Sequence, residues 1–264
     1  MEFWLLYLAV GAFAGFLAGL LGVGGGLVIV PVLTFIFAVQ HFPVEYIAHL
    51  ALGTSLASIL FTSISSVRAH QAHGAVDWGV VRVIAPGIVA GTLLGALVAA
   101  QLSSGFLKGF FVVFVYYVAA QMLLDIRPKP SRELPGPGGM FAAGAVIGGV
   151  SSLVGIGGGS LSVPFMTWCN VKMHRAIGTS AAIGFPIAAA GAFGYIVVGE
   201  MGGTLPAYSL GFVYLPALAG LVAASMLTAP FGARAAHRLP VPRLKKVFAV
   251  LLLVIGTRML AGMF

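Results

Sequence analysis

The chain has 264 residues, of which 60% are hydrophobic and 8% are charged, and its formal net charge is +8. A soluble domain carries about 25% charged residues, so this composition excludes a soluble enzyme and a disordered chain and leaves a helical membrane protein. The single cysteine, Cys169, excludes an intrachain disulfide and a cysteine-based metal cluster. Membrane proteins collect Lys and Arg in cytoplasmic loops, so we expect the positive charge to reflect topology and not a nucleic-acid partner.

Two apolar stretches are too long to be single straight helices. No Asp, Glu, Lys or Arg occurs from residue 3 to 44 or from 134 to 171. Each stretch would be about 60 Å long as a helix, against a hydrocarbon core of about 30 Å. Each also contains a glycine-rich break, at 22–26 and at 155–159, where glycine permits a sharp turn. We expect a short second helix after each break, over 28–39 and 161–170.

The rest of the chain contains more ordinary spans. We expect Pro86 and Pro216 to kink their helices, because proline removes an intrahelical hydrogen bond. If each glycine break reverses the chain there are ten membrane segments, and if the chain continues through the breaks there are eight. The apolar runs place the ordinary spans near 47–66, 79–101, 104–124, 176–198, 209–231 and 246–263.

The basic residues favour the count of ten. With ten segments, four loops share one side and hold 12 of the 14 Lys and Arg residues. With eight segments, the same loops are divided between both sides. Since basic loops stay in the cytoplasm, the sequence predicts ten membrane segments, with the basic loops in the cytoplasm and both termini outside. The four loops lie near 67–82, 125–138, 171–175 and 231–246.

The chain also contains an internal repeat. Residues 11–33 align with residues 144–166, and both blocks carry the glycine break followed by Val-Pro. Residues 49–55 then align with residues 174–180, and both blocks end in Gly-Thr-Ser. Two halves of five segments each must have opposite orientations, because five is odd. The predicted fold is therefore an all-α polytopic membrane protein of two inverted repeats with glycine-broken hairpins, the architecture of many secondary transporters.

The two repeats define the domain organisation. The first repeat is expected over 1–133, with a glycine hairpin at about 3–40, helices at about 47–124 and a cytoplasmic linker at 125–137. The second repeat is expected over 134–264. Stripes of glycine at every fourth residue predict close helix packing, and they comprise Gly11, Gly15 and Gly19 together with Gly87, Gly91 and Gly95.

The glycine triplets are candidates for anion binding. A helix that begins after each break has N–H groups without an intrahelical partner and carries a partial positive charge. Such an end binds an anion without a charged side chain, and glycine lets the anion approach the backbone. The alternative is that the triplets are only tight turns, but their occurrence in both halves favours binding. The candidate residues are Gly24, Gly25, Gly26, Gly157, Gly158, Gly159 and Ser160.

Hydroxyl and imidazole groups add to these candidates. The hydroxyls of both Gly-Thr-Ser motifs could donate to a tetrahedral oxyanion or bond back to their own helices. Two histidines precede them and could carry a coupling H+, with Na+ as the other coupling ion and an interfacial helix cap as the alternative role. The hydroxyl candidates are Thr54, Ser55, Thr179 and Ser180, and the histidines are His49 and His174.

The remaining polar residues give no case for catalysis. The sequence contains no legible Ser-His-Asp set or pair of catalytic carboxylates. The basic segment 68–74 could attract anions to an entrance or only fix topology, and its two histidines are too sparse for a metal site. We therefore expect a protein that is not an enzyme and that needs no metal or cofactor.

The duplicated blocks resemble those of the TauE/SafE family of sulfite and organosulfonate exporters. The resemblance rests on G-x-G-G-G followed by Val30-Pro31 or Val163-Pro164 and then Gly-Thr-Ser, and it covers essentially the whole chain. It implies an inner-membrane permease with about eight spans that exports small sulfur-containing anions without ATP hydrolysis, and it makes the matching Gly, Thr and Ser residues candidate site residues.

We accordingly expect a secondary transporter of sulfite, sulfoacetate or a related organosulfonate that works by alternating access around a midplane anion site. The alternative is a non-transporting membrane assembly factor or scaffold that binds a partner protein or a metal. The internal repeat and the glycine breaks favour the transporter.

Overall fold

The computed structural model describes residues 3–22, 24–124, 132–201, 205–238 and 241–262. These residues form ten α-helices and one short hairpin of strands β1 (Ser209–Leu210) and β2 (Val213–Tyr214). Residues 125–131 of the predicted linker lie outside the described residues. The helices are α1 (Trp4–Leu21), α2 (Gly26–Val39), α3 (Ile47–Ala72), α4 (Trp78–Gln101), α5 (Ser104–Leu123), α6 (Pro137–Val154), α7 (Gly159–Trp168), α8 (Met173–Glu200), α9 (Leu215–Arg238) and α10 (Val241–Ala261).

Seven of the described helices are long and apolar enough to cross a membrane, namely α1, α3, α4, α5, α6, α8 and α9. Two helices are much shorter, with 14 residues in α2 and 10 in α7. The chain is therefore a polytopic membrane protein. The count of ten membrane segments stays a prediction.

Both predicted glycine breaks are confirmed, because α1 and α6 each end just before a break and α2 and α7 begin within it. The chain then turns back on itself in the first half. Gln40, which follows α2, donates from Nε2 to the hydroxyl of Tyr7 near the start of α1 at 3.1 Å. The end of α2 therefore lies beside the beginning of α1.

The glycine stripes pack helices of one half against helices of the other. A Cβ built on the stripe of α1 would meet the backbone of α9 at the pairs Gly11–Leu221, Gly15–Ser225 and Gly19–Ala229. The stripe of α4 meets the backbone of α6 at the pairs Gly87–Phe141, Gly91–Ala145 and Gly95–Gly149. The predicted close packing is confirmed. Because residue numbers rise together in both sets of pairs, α1 is parallel to α9 and α4 is parallel to α6.

Helices α3 and α8, which contain the two Gly-Thr-Ser motifs, pack against each other with opposite directions. The start of α3 contacts the end of α8, and the residues after α3 contact the start of α8. Successive contacts join Gly53 to Tyr195, Leu56 to Gly191, Ser63 to Gly184 and Ala75 to Gly178.

Two predictions for the last third of the chain are wrong. The helix expected at 209–231 begins at Leu215, because residues 209–214 form the β1–β2 hairpin around Gly211, whose φ is +49°. This hairpin is also an exception to the predicted all-α fold. Pro216 does not kink a helix, since it is the second residue of α9, where the fixed φ of proline suits a helix start. Pro86 does lie inside a helix, as expected.

Candidate functional site

The two glycine breaks share one left-handed glycine after the first helix and another before the second helix, and only the first break has a third, at Gly24. Gly22 and Gly155 follow α1 and α6 with φ of +68° and +70°, and Gly25 and Gly158 precede α2 and α7 with φ of +76° and +75°. Side chains with a Cβ rarely adopt these angles. The repeated sequence therefore produces a repeated structure, and glycine is required at these turns.

The two glycine segments meet where the halves join. A Cβ built on Gly24 would lie 3.0 Å from both the N and the Cα of Gly157, and a Cβ on Gly26 would overlap the carbonyl oxygen of Gly155. No side chain larger than hydrogen fits at either position without moving the backbone. The structure therefore brings together the two triplets that the sequence analysis selected.

Helices α2 and α7 begin at this meeting point. In α2 the N–H of Ile29 donates to the carbonyl of Gly25 at 3.2 Å, and in α7 the N–H of Ser162 donates to the carbonyl of Gly158 at 2.8 Å. The N–H groups of Val28 and Leu161 donate to the same two carbonyls at 3.1 and 3.0 Å, so only the N–H groups of the first two residues of each helix are left without an intrahelical acceptor and carry partial positive charge. Two positively polarised helix ends therefore lie in one small region, where no lysine or arginine is needed to attract an anion.

Each half holds the glycine turn of the other half through a serine. Ser55 Oγ donates to the carbonyl oxygen of Gly155 at 2.7 Å, and Ser180 Oγ donates to the carbonyl oxygen of Gly22 at 3.0 Å. Both serines are fully buried. Ser162 Oγ also donates to Ser180 Oγ at 2.8 Å. In this conformation the hydroxyls of the two candidate serines therefore donate to backbone carbonyls of the protein.

The two candidate threonines hold segments that lead into other helices. Thr54 Oγ1 accepts from the N–H of Tyr214 just before α9, and Thr179 Oγ1 accepts from the N–H of Asp77 just before α4, both at 2.9 Å. The two bonds are equivalent, because Thr54 and Thr179 are aligned positions and each accepts from the residue just before a helix of the other half. The Gly-Thr-Ser motif is therefore a joint that fixes one glycine turn and one helix start of the opposite half.

The two candidate histidines have different surroundings. His49 is buried, with its Nε2 3.0 Å from the carbonyl oxygen of Ala99 and its ring centre 5.0 Å from that of Phe212. His174 is exposed, and the next residue, Arg175, pairs with Asp77 at 3.2 Å. Their alignment in sequence therefore does not extend to a shared environment.

A small cavity lies beside the meeting point of the glycine segments. Its volume is about 10 Å³, which is room for about one water molecule. Gly22, Gly24 and Gly157 form part of its wall, and neither His49 nor His174 lines it. A sulfur oxyanion is larger than a water molecule, so the described conformation is closed around this region.

The polar part of the cavity wall consists of three residues that sequence reasoning missed, Thr62, Ser63 and Ser66 of α3. Their signal was a run of hydroxyl residues on one side of an otherwise apolar helix. Ser66 Oγ is buried and has no hydrogen-bond partner among the described residues, and the same holds for the predicted candidate Ser160. Buried polar atoms are normally satisfied, so these two hydroxyls mark places where a water or a ligand could bind.

A larger crevice opens at the end of α3. Its volume is about 750 Å³, and its lining is mainly apolar, with Arg68, Gln71 and Trp78 as the most polar members. Trp78 Nε1 donates to Gln71 Oε1 at 2.9 Å. Arg68 is exposed, so it lies at the mouth of the crevice and not at the glycine segments.

The protein has long apolar helices and two broken helices that meet in its interior. It is therefore a polytopic membrane protein of the class that contains discontinuous helices. Secondary transporters use such broken helices to bind ions and substrates. The model of the family described as "Sulfite exporter TauE/SafE" matches residues 7–259, and the chain belongs to this family.

Several similar proteins carry related descriptions. A probable membrane transporter protein of Haemophilus influenzae is 41% identical over 258 residues, which cover 97% of this chain and 98% of that protein. The probable membrane transporter protein YunE of Bacillus subtilis is 26% identical over 97% of this chain and 96% of its own length. A probable membrane transporter protein of Methanocaldococcus jannaschii is 25% identical over 97% and 94%. No solved structure matches the chain.

Proposed function

We propose that the protein is a secondary transporter that exports small sulfur-containing oxyanions, such as sulfite, sulfoacetate or a related organosulfonate. The observation that carries this proposal is the meeting of two broken helices, one from each half, at Gly24 and Gly157. Membership of the TauE/SafE family supports the substrate class.

The anion site of this proposal lies between the first turns of α2 and α7. Backbone N–H groups of the two triplets and the hydroxyl of Ser160 would donate to the oxyanion, and no charged side chain is required. The hydroxyls of Ser55 and Ser180 would join them when the glycine turns separate and release the carbonyl oxygens that these serines hold. The small cavity beside Gly24 and Gly157 is where the opening begins.

The direction of α3 relative to α8 supports an inverted repeat. If the chain continued through each glycine break, each half would cross the membrane four times, and the equivalent helices α3 and α8 would run in the same direction. The contacts between α3 and α8 have opposite directions, as expected when each half makes five passes. The short helices α2 and α7 are then the returning arms of the glycine hairpins.

The orientation follows from the basic residues. We assign the end of α3 with Arg68, the start of α4 with Arg82 and the linker between the halves to the cytoplasmic side, and both termini to the outside. The 750 Å³ crevice at the end of α3 then faces the cytoplasm. An exporter receives its substrate from this side.

The test is a flux measurement on the purified protein in proteoliposomes. Vesicles are loaded with sulfite, sulfoacetate, chloride or acetate, and efflux is followed for each. We expect saturable efflux of at least one sulfur oxyanion. Chloride and acetate should leave no faster than from vesicles that contain the same anion but no protein. Equal rates for all four anions, or no efflux of either sulfur compound, would contradict the proposal.

A further inference from the structure

We propose that His70 is a proton-binding site that couples proton binding to anion binding at the glycine segments. The inference rests on the proposed transport function. It assigns coupling to a histidine near the end of α3 that has no equivalent histidine in the second half.

His70 is fully buried, with no exposed side-chain surface. Its Nε2 lies 2.9 Å from the carbonyl oxygen of Gly19, and Gly19 belongs to the glycine stripe of α1. The imidazole therefore links α3 to the last turn of α1, one turn before the first glycine break. A change in its protonation acts directly on the helix that ends at the anion site.

A line of buried hydroxyls joins His70 to the cavity. Ser58, Thr62, Ser66 and His70 follow one another at intervals of four residues, so they lie on one face of α3. Thr62 and Ser66 line the cavity at the glycine segments. Thr62 Oγ1 lies 2.7 Å from Ser225 Oγ, whereas Ser66 Oγ has no hydrogen-bond partner among the described residues. A water bound at Ser66 would therefore bridge the cavity and the imidazole.

The second half has an equivalent side-chain bond to a backbone carbonyl, but the side chain that makes it is not a histidine. Tyr195 aligns with His70, and Ser152 aligns with Gly19. Tyr195 is fully buried, and its hydroxyl donates to the carbonyl oxygen of Ser152 at 3.0 Å. A phenol does not ionise near neutral pH. The positions of α8 that align with the hydroxyl line are occupied by Ile183, Ile187 and Gly191.

The polar line is thus confined to α3 and leads to the end of α3 alone. This asymmetry distinguishes a functional line from a packing requirement of the repeat, because the second half packs the same joint with apolar residues. The polar line therefore runs towards the side that we assign to the cytoplasm.

The charges around this end of α3 explain the coupling. Helix α1 carries no Asp, Glu, Lys, Arg or His. Among the described charged and titratable residues around this end of α3, the one carboxylate is Asp77. It pairs with Arg175 at 3.2 Å, and the other residues of the set are basic or neutral. An anion at the glycine segments would add a negative charge near the imidazole of His70 and would so stabilise its protonated form. The set consists of Arg68 and His73 at the end of α3, Asp77 after it, Arg82 on α4, His174 and Arg175 on α8, and Arg234 on α9.

Linkage makes the effect reciprocal, so protonation of His70 strengthens anion binding by the factor by which the anion strengthens protonation. The apparent anion affinity should therefore rise as the pH falls through the range in which imidazole titrates. A single linked proton changes the affinity by at most about tenfold per pH unit.

The experiment compares His70→Gln with His49→Gln as a matched control. Both histidines are buried and lie beside a backbone carbonyl through Nε2, and glutamine can donate to the same carbonyl without titrating. The apparent affinities for sulfite and for sulfoacetate are measured in proteoliposomes between about pH 6 and 8. The protonation of sulfite itself is the same for every variant, so differences between variants report on the protein.

We expect the wild type and His49→Gln to bind more tightly at the lower pH and His70→Gln to lose this dependence while it retains flux. A wild-type pH dependence in His70→Gln would overturn the proton site and leave the transporter proposal intact. Equal loss of flux at every pH with an unchanged slope would give His70 a structural role only. No flux of either anion in the wild type would reject the transporter proposal, and the proton site with it.

A second measurement covers the case in which His70→Gln does not fold. Anion is added to the wild-type protein in weakly buffered detergent solution, and proton uptake is followed with a pH-sensitive dye. We expect uptake approaching one proton per bound sulfoacetate. Binding of sulfoacetate without proton uptake would contradict the inference. His70→Tyr, which installs the residue of the second half, should then bind the anion without taking up protons.

Discussion

Glycine is required at the turns because a positive φ and a close backbone contact both act at the same residue. Gly25 has φ of +76°, and a Cβ built on it would lie 2.7 Å from the carbonyl oxygen of Ala14. Valine at this position meets both the backbone strain, about 1–3 kcal/mol, and the contact with α1. We expect Gly25→Val to insert into the membrane and to abolish flux, because the first turn of α2 can no longer reach its place.

The matched control for this variant is Gly138→Val in α6. Gly138 is exposed, and a Cβ built on it has no atom within 4 Å. The amount of protein in the membrane and the sulfite efflux are measured for both variants. Normal efflux in Gly25→Val would show that the first triplet is an ordinary turn.

The two serines that hold the glycine turns should matter equally. A buried hydrogen bond contributes about 0.5–1.5 kcal/mol net, which corresponds to about twofold to about tenfold in affinity. We expect Ser55→Ala and Ser180→Ala each to weaken sulfite binding by this factor, because each loses one anion donor and loosens the turn opposite.

Ser65→Ala is the matched control, since Ser65 Oγ also donates to a carbonyl oxygen across helices, that of Met226 at 2.8 Å. Binding is compared in the three single variants and in the double variant of Ser55 and Ser180. An unchanged affinity in the double variant would remove both serines from the site. An effect of only one serine would make the site asymmetric.

Part of the site could be predicted from residue types alone. Two copies of a glycine triplet after an apolar helix predict two broken helices, and this prediction holds. The bonds of Ser55 and Ser180 could not be predicted, because their acceptors are backbone carbonyls 100 and 158 residues away. The hydroxyls of the cavity were visible in the sequence, but only the fold shows that they face the glycine segments.

At the level of elements, the direction of α3 relative to α8 yields a topological prediction. His73 follows α3 and Met201 follows α8, and both are exposed. If the repeat is inverted, these ends of two equivalent helices lie on opposite sides of the membrane. We expect a Cys at position 73 to be labelled from the cytoplasm only and a Cys at position 201 from the outside only.

The labelling uses a membrane-impermeant thiol reagent on intact and on inverted vesicles, in a background in which the buried Cys169 is replaced by Ser. That background without a new cysteine is the control for residual labelling. Labelling of both positions from the same side would contradict the inverted repeat and would favour a chain that continues through the glycine breaks.

Helices were more predictable than the elements that interrupt them. Charge-free runs and glycine breaks locate the ten described helices, and the largest differences are at the end of α3, predicted at 66 and observed at Ala72, and at both ends of α9, predicted over 209–231 and observed over Leu215–Arg238. Residues 209–214 are as apolar as a membrane span, so composition does not separate the β1–β2 hairpin from the helix that follows. Its position depends on close packing, since a Cβ on Gly211 would overlap the backbone of Ile196.

On the scale of the whole molecule, the halves are not separate bodies. Helix α1 of the first half packs along α9 of the second, and α6 of the second packs along α4 of the first. The glycine stripes of the first half are buried only against helices of the second half. We expect residues 1–133 and 134–264, expressed as two chains, to form an active transporter together and to be degraded when either is expressed alone.

Sulfite efflux and the amount of each fragment in the membrane are the measurements, with the single fragments as controls. The cut falls between the halves, so every contact between helices is retained in the pair. A first fragment that accumulates alone and resists proteolysis would show that the first half folds without the second.

The serine bonds between the halves also set an order of events during synthesis. Ser55 is made 100 residues before the carbonyl of Gly155, and Gly22 is made 158 residues before the hydroxyl of Ser180. At about 5–20 residues per second, the first glycine turn therefore waits about 8–30 s inside the membrane before the ribosome delivers its donor. The nascent first half is most exposed to membrane proteases in this interval. Substitutions in the Gly-Thr-Ser motif of α8 should therefore first reduce the amount of full-length protein that accumulates in the membrane.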